Sequence, residues 1–586
     1  MNTKLLTRLF AILLCAVMLF LVACGPDGSQ TSESASESAG ESNTPENGDE
    51  AIATEERMLY VNAEIAQPFP VSFYEDVPDI LLIEMETANM EFFAGLLSHY
   101  GDFIVEETET TITITRSNGT YCVLDFVQDT VYFDDYDLFF TKNFQSNFGD
   151  HLGFSYLDEA GNSFYIQREL TLYTPGSPIL LDLASREIPM DIYEGKKYLP
   201  FQTFNDLFLS PFSLDIANNS QDLFMAQGGA ISQDLLDLYY SIEPGNRSQE
   251  LANFTYSELC LLLDISYGLQ EEHKILNGFS DFFAVTEMTE TMLDPDASKF
   301  GGAMLTLTLG YFADLHSGMK MASPYTGDPQ PVRPEDLNIA PSVLRYSEMA
   351  QLYEAKRAEW MPDGVPGYQE MGNTAYVTFD TFSFDTDRVA GYNETSTAIT
   401  DTFGLIIYAH SMITREDSPI ENVVVDLSCN GGGAYDAAVY VVSWMLGYCD
   451  VHVTNPITNA TATTSYMADV NLDGVFDEND TISHLNLFCI TSPVSFSCGN
   501  LVPALLKESG LVTLLGGTSG GGSCLVKHFC TADGALLQLS SPWRLSTVSN
   551  GSYYNIDTGV EPHFRLITFA SYYNREALTE YINNLY

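Results

Sequence analysis

Residues 491–500 read TSPVSFSCGN, and the rest of the chain is arranged around them. An apolar run, Leu485 to Ile490, leads in, and Leu501 to Lys507 leads out with helical spacing. That order predicts a strand, a tight turn of small residues and a helix. A serine in such a turn carries its hydroxyl at the sheet edge. The first amides of the following helix point to the same spot, and the helix dipole favours negative charge there. Ordinary strand-to-helix turns share this outline, so the serine needs support from elsewhere in the chain.

The same texture recurs upstream. Glu421 to Leu427 reads as a buried strand, followed by Asn430-Gly431-Gly432-Gly433 and a helix over 434–446. Before it come a strand in Asn373 to Phe382 and a helix over 396–414. Strands alternating with helices argue for a parallel α/β core over 372–586. Residues 202–371 have helical apolar spacing, closing with a Pro-rich connector and a helix over 342–360. Residues 58–201 read as a β-rich N-terminal domain. Its plainest hairpin runs from Thr111-Ile112-Thr113-Ile114-Thr115 through Ser117-Asn118-Gly119 to the alternating stretch from Tyr121 to Phe126.

The 586 residues suffice for about three or four domains of ~150 residues. Lys and Arg number 24 against 80 Asp and Glu, a net charge of −56. Nucleic acid is excluded as an expected partner, because phosphate binding needs clustered basic residues. Such acidity suits an exposed, soluble surface and cation binding. Of ten cysteines none stands in a CxxC pair or at zinc spacing, and Cys260, Cys449 and Cys489 sit inside apolar runs as small hydrophobes.

Residues 1–23 read as a signal peptide, with Lys4 and Arg8 ahead of an apolar stretch from Leu9 to Val22 that is short for a membrane span. It ends Leu21-Val22-Ala23-Cys24-Gly25, which resembles the lipobox of bacterial lipoproteins. The resemblance implies cleavage before Cys24, lipidation of that cysteine, and a protein anchored to the extracellular face of the cytoplasmic membrane. Residues 24–57 are Ser/Glu/Gly-rich and read as a disordered acidic tether.

Five pieces of the C-terminal region, taken in order, resemble the S41 serine peptidases, the tricorn-core and C-terminal-processing protease family. They are the strand Asn373-Thr374-Ala375-Tyr376-Val377, the run from Val424 to Gly433, the turn Ser495-Phe496-Ser497-Cys498-Gly499-Asn500, the loop Gly516 to Gly521, and Gly559-Val560-Glu561-Pro562-His563. The resemblance implies a crotonase/ClpP-like α/β core and hydrolysis of peptide bonds, with Ser497 as nucleophile. It also implies oxyanion-hole amides from Gly431 or Gly432 and from Cys498. A serine hydroxyl needs a base. The processing branch of the family supplies a lysine in the loop where this chain has Gly521 and Gly522, and Lys527 is out of register. The tricorn-like branch supplies a histidine on a segment that Ala313-Asp314-Leu315-His316-Ser317-Gly318 resembles, so His316 is the expected base. The acidic third member is Asp557, one position out of register, with Glu561 close by. The gap ahead of the core is too short for a typical PDZ domain. The rival reading of 430–433 as a phosphate loop lacks the GxxxxGK[ST] lysine and the GxGxxG spacing.

A second motif occupies 469–480. Asp469, Asn471, Asp473, Asp477 and Asp480 fall at positions 1, 3, 5, 9 and 12 of an EF-hand-type loop, with Gly474 at 6 and the Val475 carbonyl at 7. The spacing predicts a structural Ca2+ site inserted in the core and stiffening it, with Asp480 reaching less far than the usual glutamate. No organic cofactor is expected. The leading reading is a lipid-anchored serine endopeptidase acting on peptides or proteins. The loose match at Asp557 leaves room for weakened activity and for the alternative, an inactive lipoprotein of the same fold that binds peptides or a partner protein. A solute- or glycan-binding lipoprotein is disfavoured by the pairing of the 430–433 loop with the Ser497 turn.

Overall fold

The computed structural model describes residues 51–585, except 63–64, 87–92, 94, 96, 98–102, 142–147, 151, 153–164, 230, 243, 328–338 and 385–400. The signal peptide, Cys24 and most of the tether lie outside the described residues. Among these, no helix is long and apolar enough to cross a membrane.

The core is a six-stranded sheet in the order Tyr368–Met371, Thr374–Thr378, Asn422–Asp426, Asn486–Thr491, Val512–Gly516, Phe564–Arg565. All but the first strand run parallel, with Val425 beside Cys489 and Cys489 beside Leu514. Asn422–Asp426 is buried at every residue, which is why it reads as an unbroken Val-rich run rather than an alternating one. Helices Thr402–Ile413, Tyr435–Leu446 and Cys498–Glu508 connect the strands. Tyr435–Leu446 is buried all round, as its apolar sequence requires. Because the strands are parallel, the loops after Thr378, Asp426, Thr491 and Gly516 leave the same edge of the sheet. Crevices at such carboxyl edges are where open α/β sheets bind ligands.

A second sheet has Leu536–Ser549 at its centre. This long strand pairs with Cys524–Cys530, Ser552–Asn555, Cys449–Thr454 and Gly318–Met321. The last of these pairings carries the segment after His316 onto the core.

The remaining sheets depart from the expected domain boundaries. The N-terminal sheet starts at Ile52–Asn62, inside the segment read as tether. Glu55 and Glu56 are exposed while the strand pairs along Ile65–Tyr74, so a run of solvated charge masked a strand. The hairpin Leu214–Asn218/Leu223–Gln227, from the segment read as helical, completes that same sheet, Leu59 lying beside Leu223. Ile166–Thr174, from the segment read as N-terminal, pairs along Thr461–Ala468 of the core. Local periodicity predicts strands but not their distant partners, and an uncovered edge takes whichever strand the packing offers.

Candidate active site

Four chain segments converge at the carboxyl edge of the core sheet. The strand Asn486–Thr491 ends, and residues 492–496 turn back before the helix Cys498–Glu508. Two serines in this turn have opposite fates. Ser495 is buried, donates its hydroxyl to Leu427 O (2.7 Å) and accepts from Ser492 N (2.9 Å), so it ties the turn to the neighbouring strand. Ser497 is half-buried and sits at the helix N-cap with φ +55° and ψ −122°. A capping serine normally spends its hydroxyl on the N2 or N3 amide. Ser497 makes no such bond, and its strained backbone turns the side chain away from capping. Its own amide is held by Gly521 O (2.9 Å).

The second segment is the glycine loop. A Cβ on Gly432 would lie 2.7 Å from Ser497 Cβ and 3.2 Å from Ser497 Oγ, and the backbone there has φ +110°. Only glycine lets the two loops approach this closely. Phe496 N donates to Asn430 O (3.1 Å), and Asn430 Nδ2 to Phe379 O (3.0 Å). Of the amides expected in the oxyanion hole, Gly431 N donates to Asp380 O (3.2 Å) and Gly432 N to Asn430 Oδ1 (2.9 Å). Cys498 N, the first amide of the helix, takes no partner among the described residues, and neither does the exposed Gly433 N. The Cys498 thiol donates to Gly433 O (3.2 Å), and burial pushes its pKa up to about 12, so it is no nucleophile.

The third segment carries His316. After the helical turns ending at Phe312, Ala313 and Leu315 take left-handed conformations, and Asp314 organises the bend. Its Oδ1 accepts His316 N (3.0 Å) and Ser317 N (2.7 Å), and its Oδ2 accepts Ser317 Oγ (2.8 Å) and Tyr267 Oη (3.1 Å). The His316 ring is buried against Phe496, the residue before Ser497, with centroids 4.7 Å apart. Its Nδ1 is buried without a hydrogen-bond partner among the described residues. Burial lowers the His316 pKa; the carboxylates of Asp314 and Asp557 oppose that, and Lys320 adds to it. The ring is therefore neutral at neutral pH, the state a base requires.

The fourth segment, 517–523, explains the absent lysine. Gly521 has φ +85° and Gly522 +84°. A Cβ on Gly521 would strike Asp557 O, and one on Gly522 would lie 2.5 Å from the Phe496 ring. The ring that packs on His316 fills the space a side chain at 522 would need. Lys527 is engaged elsewhere: its Nζ lies 3.4 Å from the Trp543 ring centroid and donates to Pro211 O (3.3 Å).

Asp557 stands beside this loop, its Oδ1 accepting Ser523 N (3.0 Å) and Ser523 Oγ (3.3 Å), and its charge acts on His316. Glu561 is instead paired with Arg565 at the surface. The structure thus brings Ser497, His316, Asp557, Gly432 and Cys498 together.

Sequence reasoning missed three supporting residues. Asp314 was quoted with the histidine segment but given no task, though an Asp two residues before a turn histidine is an Asx-turn signal. Tyr346, on the helix Pro341–Trp360, donates to Val494 O (3.2 Å) and packs on Phe496 (5.7 Å); a lone helical tyrosine carries no such signal. Arg357, on the same helix, grips Asp380 with two bonds (2.6 and 2.5 Å), and Asp380 O in turn fixes Gly431.

At the calcium-type loop, Asp469 is buried and Asp477 caps the turn Glu478–Asp480, the Asp480 side chain accepting the Asp477 amide in return. Among the described residues no three His, Cys, Asp or Glu side chains are gathered as a metal site.

Residues 373–566 match the family model described as peptidase family S41. No curated protein matches the chain. Among solved structures, a photosystem II D1 C-terminal processing protease is 17% identical, with 34% of this chain and 45% of that one covered and a TM-score of 0.25. The chain thus spans less than half of that protease. A lipoprotein from Streptococcus agalactiae is 14% identical over 59% of this chain and 99% of its own, TM-score 0.34. Mature CPAF is 12% identical over 57% and 96%, TM-score 0.37. Overlap this loose says nothing about chemistry. The S41 match covers the Ser497 turn, the glycine loop and Asp557, whereas His316 lies outside it.

Proposed function

We propose that the protein is a serine peptidase in which Ser497 attacks the scissile carbonyl and His316 takes the serine proton. The single observation that carries this is Ser497 itself, held at a helix N-terminus at φ +55° with its hydroxyl uncommitted, next to the Phe496 ring on which His316 packs. As the C–O bond to Ser497 forms, the carbonyl oxygen gains negative charge. The Cys498 amide at the helix N-terminus is the donor that would receive it. His316 then gives the proton to the leaving amine as the C–N bond breaks, and water hydrolyses the acyl-serine by the same route reversed. Asp557 stabilises the charged histidine. Gly432 acts by lacking a side chain, and Gly431 and Gly432 would join the hole only by exchanging their present partners. The substrate is a peptide or protein. Lipidation of Cys24 would place the enzyme on the outer face of the cytoplasmic membrane, which incorporation of labelled palmitate lost in Cys24→Ala would test.

Two observations favour the inactive peptide-binding reading: among the described residues, no carboxylate is hydrogen-bonded to His316 Nδ1, and no hydrogen bond joins His316 to Ser497. Catalytic bonds of this kind often tighten only with substrate bound. Hydrolysis of a quenched fluorescent peptide library separates the two. The peptidase reading expects turnover abolished by Ser497→Ala and reduced by ~10³-fold or more by His316→Ala. Turnover unchanged by Ser497→Ala overturns it. Binding without any Ser497-dependent turnover supports the inactive reading.

A further inference from the structure

The loop 469–480 leaves the strand Thr461–Ala468 and closes in the short turn Glu478–Asp480. Its side chains are turned on its own backbone. Asn471 Oδ1 accepts Asp473 N (2.9 Å), Asp473 Oδ1 accepts Val475 N (2.8 Å), and Asp477 Oδ1 accepts Asn479 N (2.8 Å). Asp480 Oδ1 accepts Val470 N (2.7 Å) and Asn471 N (3.1 Å), while its Oδ2 accepts Asp477 N (2.9 Å). These bonds alone describe an acidic surface turn.

One atom does not fit that description. Asp469 is only 4% exposed. Its Oδ2 accepts the amide of Gly474, in the middle of the loop (2.9 Å), so the carboxylate faces the loop interior. Its Oδ1 is buried and has no hydrogen-bond partner. A buried carboxylate oxygen left without a donor is one that a cation would satisfy.

We propose that residues 469–480 bind a hard divalent cation, calcium, with Asp469 Oδ1 as the buried ligand. The other donors on offer are the side-chain oxygens of Asn471, Asp473, Asp477 and Asp480 and the Val475 carbonyl. All are oxygens, the donor set that suits calcium rather than softer metals. Because the carboxylates now serve loop amides and do not gather at one point, the ion must compete with those amides. The affinity expected is that of extracellular modules, a Kd of roughly 10⁻⁴–10⁻³ M.

The site is tied to the core. Tyr440 Oη donates to Asp469 O (3.0 Å), and Ile482 N donates to Trp444 O (3.0 Å). Both Tyr440 and Trp444 lie on Tyr435–Leu446, the helix that starts two residues beyond Gly433. Calcium therefore stiffens the support of the glycine loop. The cation site itself stands or falls independently of the peptidase chemistry.

Isothermal titration of chelator-treated full-length protein with CaCl2 tests it, alongside Asp469→Asn and the exposed Asp473→Asn, with circular dichroism to verify the fold. Wild type is expected to show one saturable site, and magnesium to bind at least tenfold more weakly. Each variant is expected to lose at least tenfold in affinity, Asp473→Asn deciding the matter if Asp469→Asn does not fold. No saturable calcium binding by wild type up to ~10 mM, well above the range of such modules, overturns the proposal. So does wild-type affinity in the folded variants, which would put the ion elsewhere on the acidic surface.

Discussion

Ser497 holds a backbone conformation that a non-glycine residue adopts only at a cost of about 1–3 kcal/mol, and the surrounding loops enforce it. Its contact with Gly432 is close enough that one methyl group decides the outcome. Gly432→Ala is expected to fold but to lower kcat/KM by ~10²-fold or more, through displacement of the serine; a fluorogenic peptide assay measures it, and unchanged kcat/KM would refute the role of that contact. As the proposed base, His316 makes a pH prediction with a defined sign. Its pKa lies below the usual 6.5, so the neutral, active form persists into mildly acidic solution and the acidic limb of kcat/KM falls below pH 6.5. Asp557 raises that pKa, so Asp557→Asn is expected to move the limb further toward acid, whereas Lys320→Ala moves it toward neutrality. A pH–rate profile in which Asp557→Asn leaves the limb in place would remove Asp557 from the site. At this scale the sequence was legible where a motif is local: Ser497, the glycines and Asp557 stand in order along one segment. It was silent on why Ser497 rather than Ser495 is free, because that depends on Leu427 O, which lies across a neighbouring strand.

Among the elements, the loop 517–523 has no room for a lysine base, and the bend 313–317 carries the proposed one, His316. Gly521 and Gly522 have positive φ and abut Asp557 and Phe496, so no lysine fits there. Gly522→Lys is therefore expected to abolish activity rather than create a lysine base, by expelling the Phe496 ring and with it the packing of His316. Retained or raised turnover would show that the loop tolerates a side chain. The core strands and helices were readable because burial on both faces leaves unbroken apolar runs, as in Asn422–Asp426. The bend that holds His316 was less so. Its left-handed Ala313 and Leu315 carry no glycine signal, and its position is set by pairing of Gly318–Met321 with a strand more than 200 residues later.

For the whole molecule, the segments upstream of the core are built into it rather than attached to it. The ion pair Arg247–Asp533 (2.9 Å) is fully buried, Gln202 Nε2 donates to Cys530 O (2.7 Å), and Tyr239 Oη to Gly534 O (2.6 Å). Asp533→Ala strands a buried guanidinium and is expected to cost about 3–5 kcal/mol, seen as a single lowered melting transition. Independent melting of an undisturbed core would contradict this integration. A group of buried acids lies between the same segments. Burial raises Glu258 to about 7 and Asp215 to about 8, and raises Asp206 as well. Their stabilising contribution is complete below the ordinary carboxylate range and is lost as pH rises through those values. Tm is thus expected to fall between about pH 5 and pH 8, less steeply in Asp215→Asn. None of this was legible in the sequence, because the partners are hundreds of residues apart and acids of this chain read as solvated surface.

Activation of a Ser497 nucleophile by His316 underlies the proposed chemistry. Labelling with a fluorophosphonate, followed by mass spectrometry of the adduct, tests it most directly. A single adduct is expected on Ser497, absent in Ser497→Ala and formed far more slowly in His316→Ala. An adduct on another residue, or labelling of Ser497 at the same rate without His316, would contradict it.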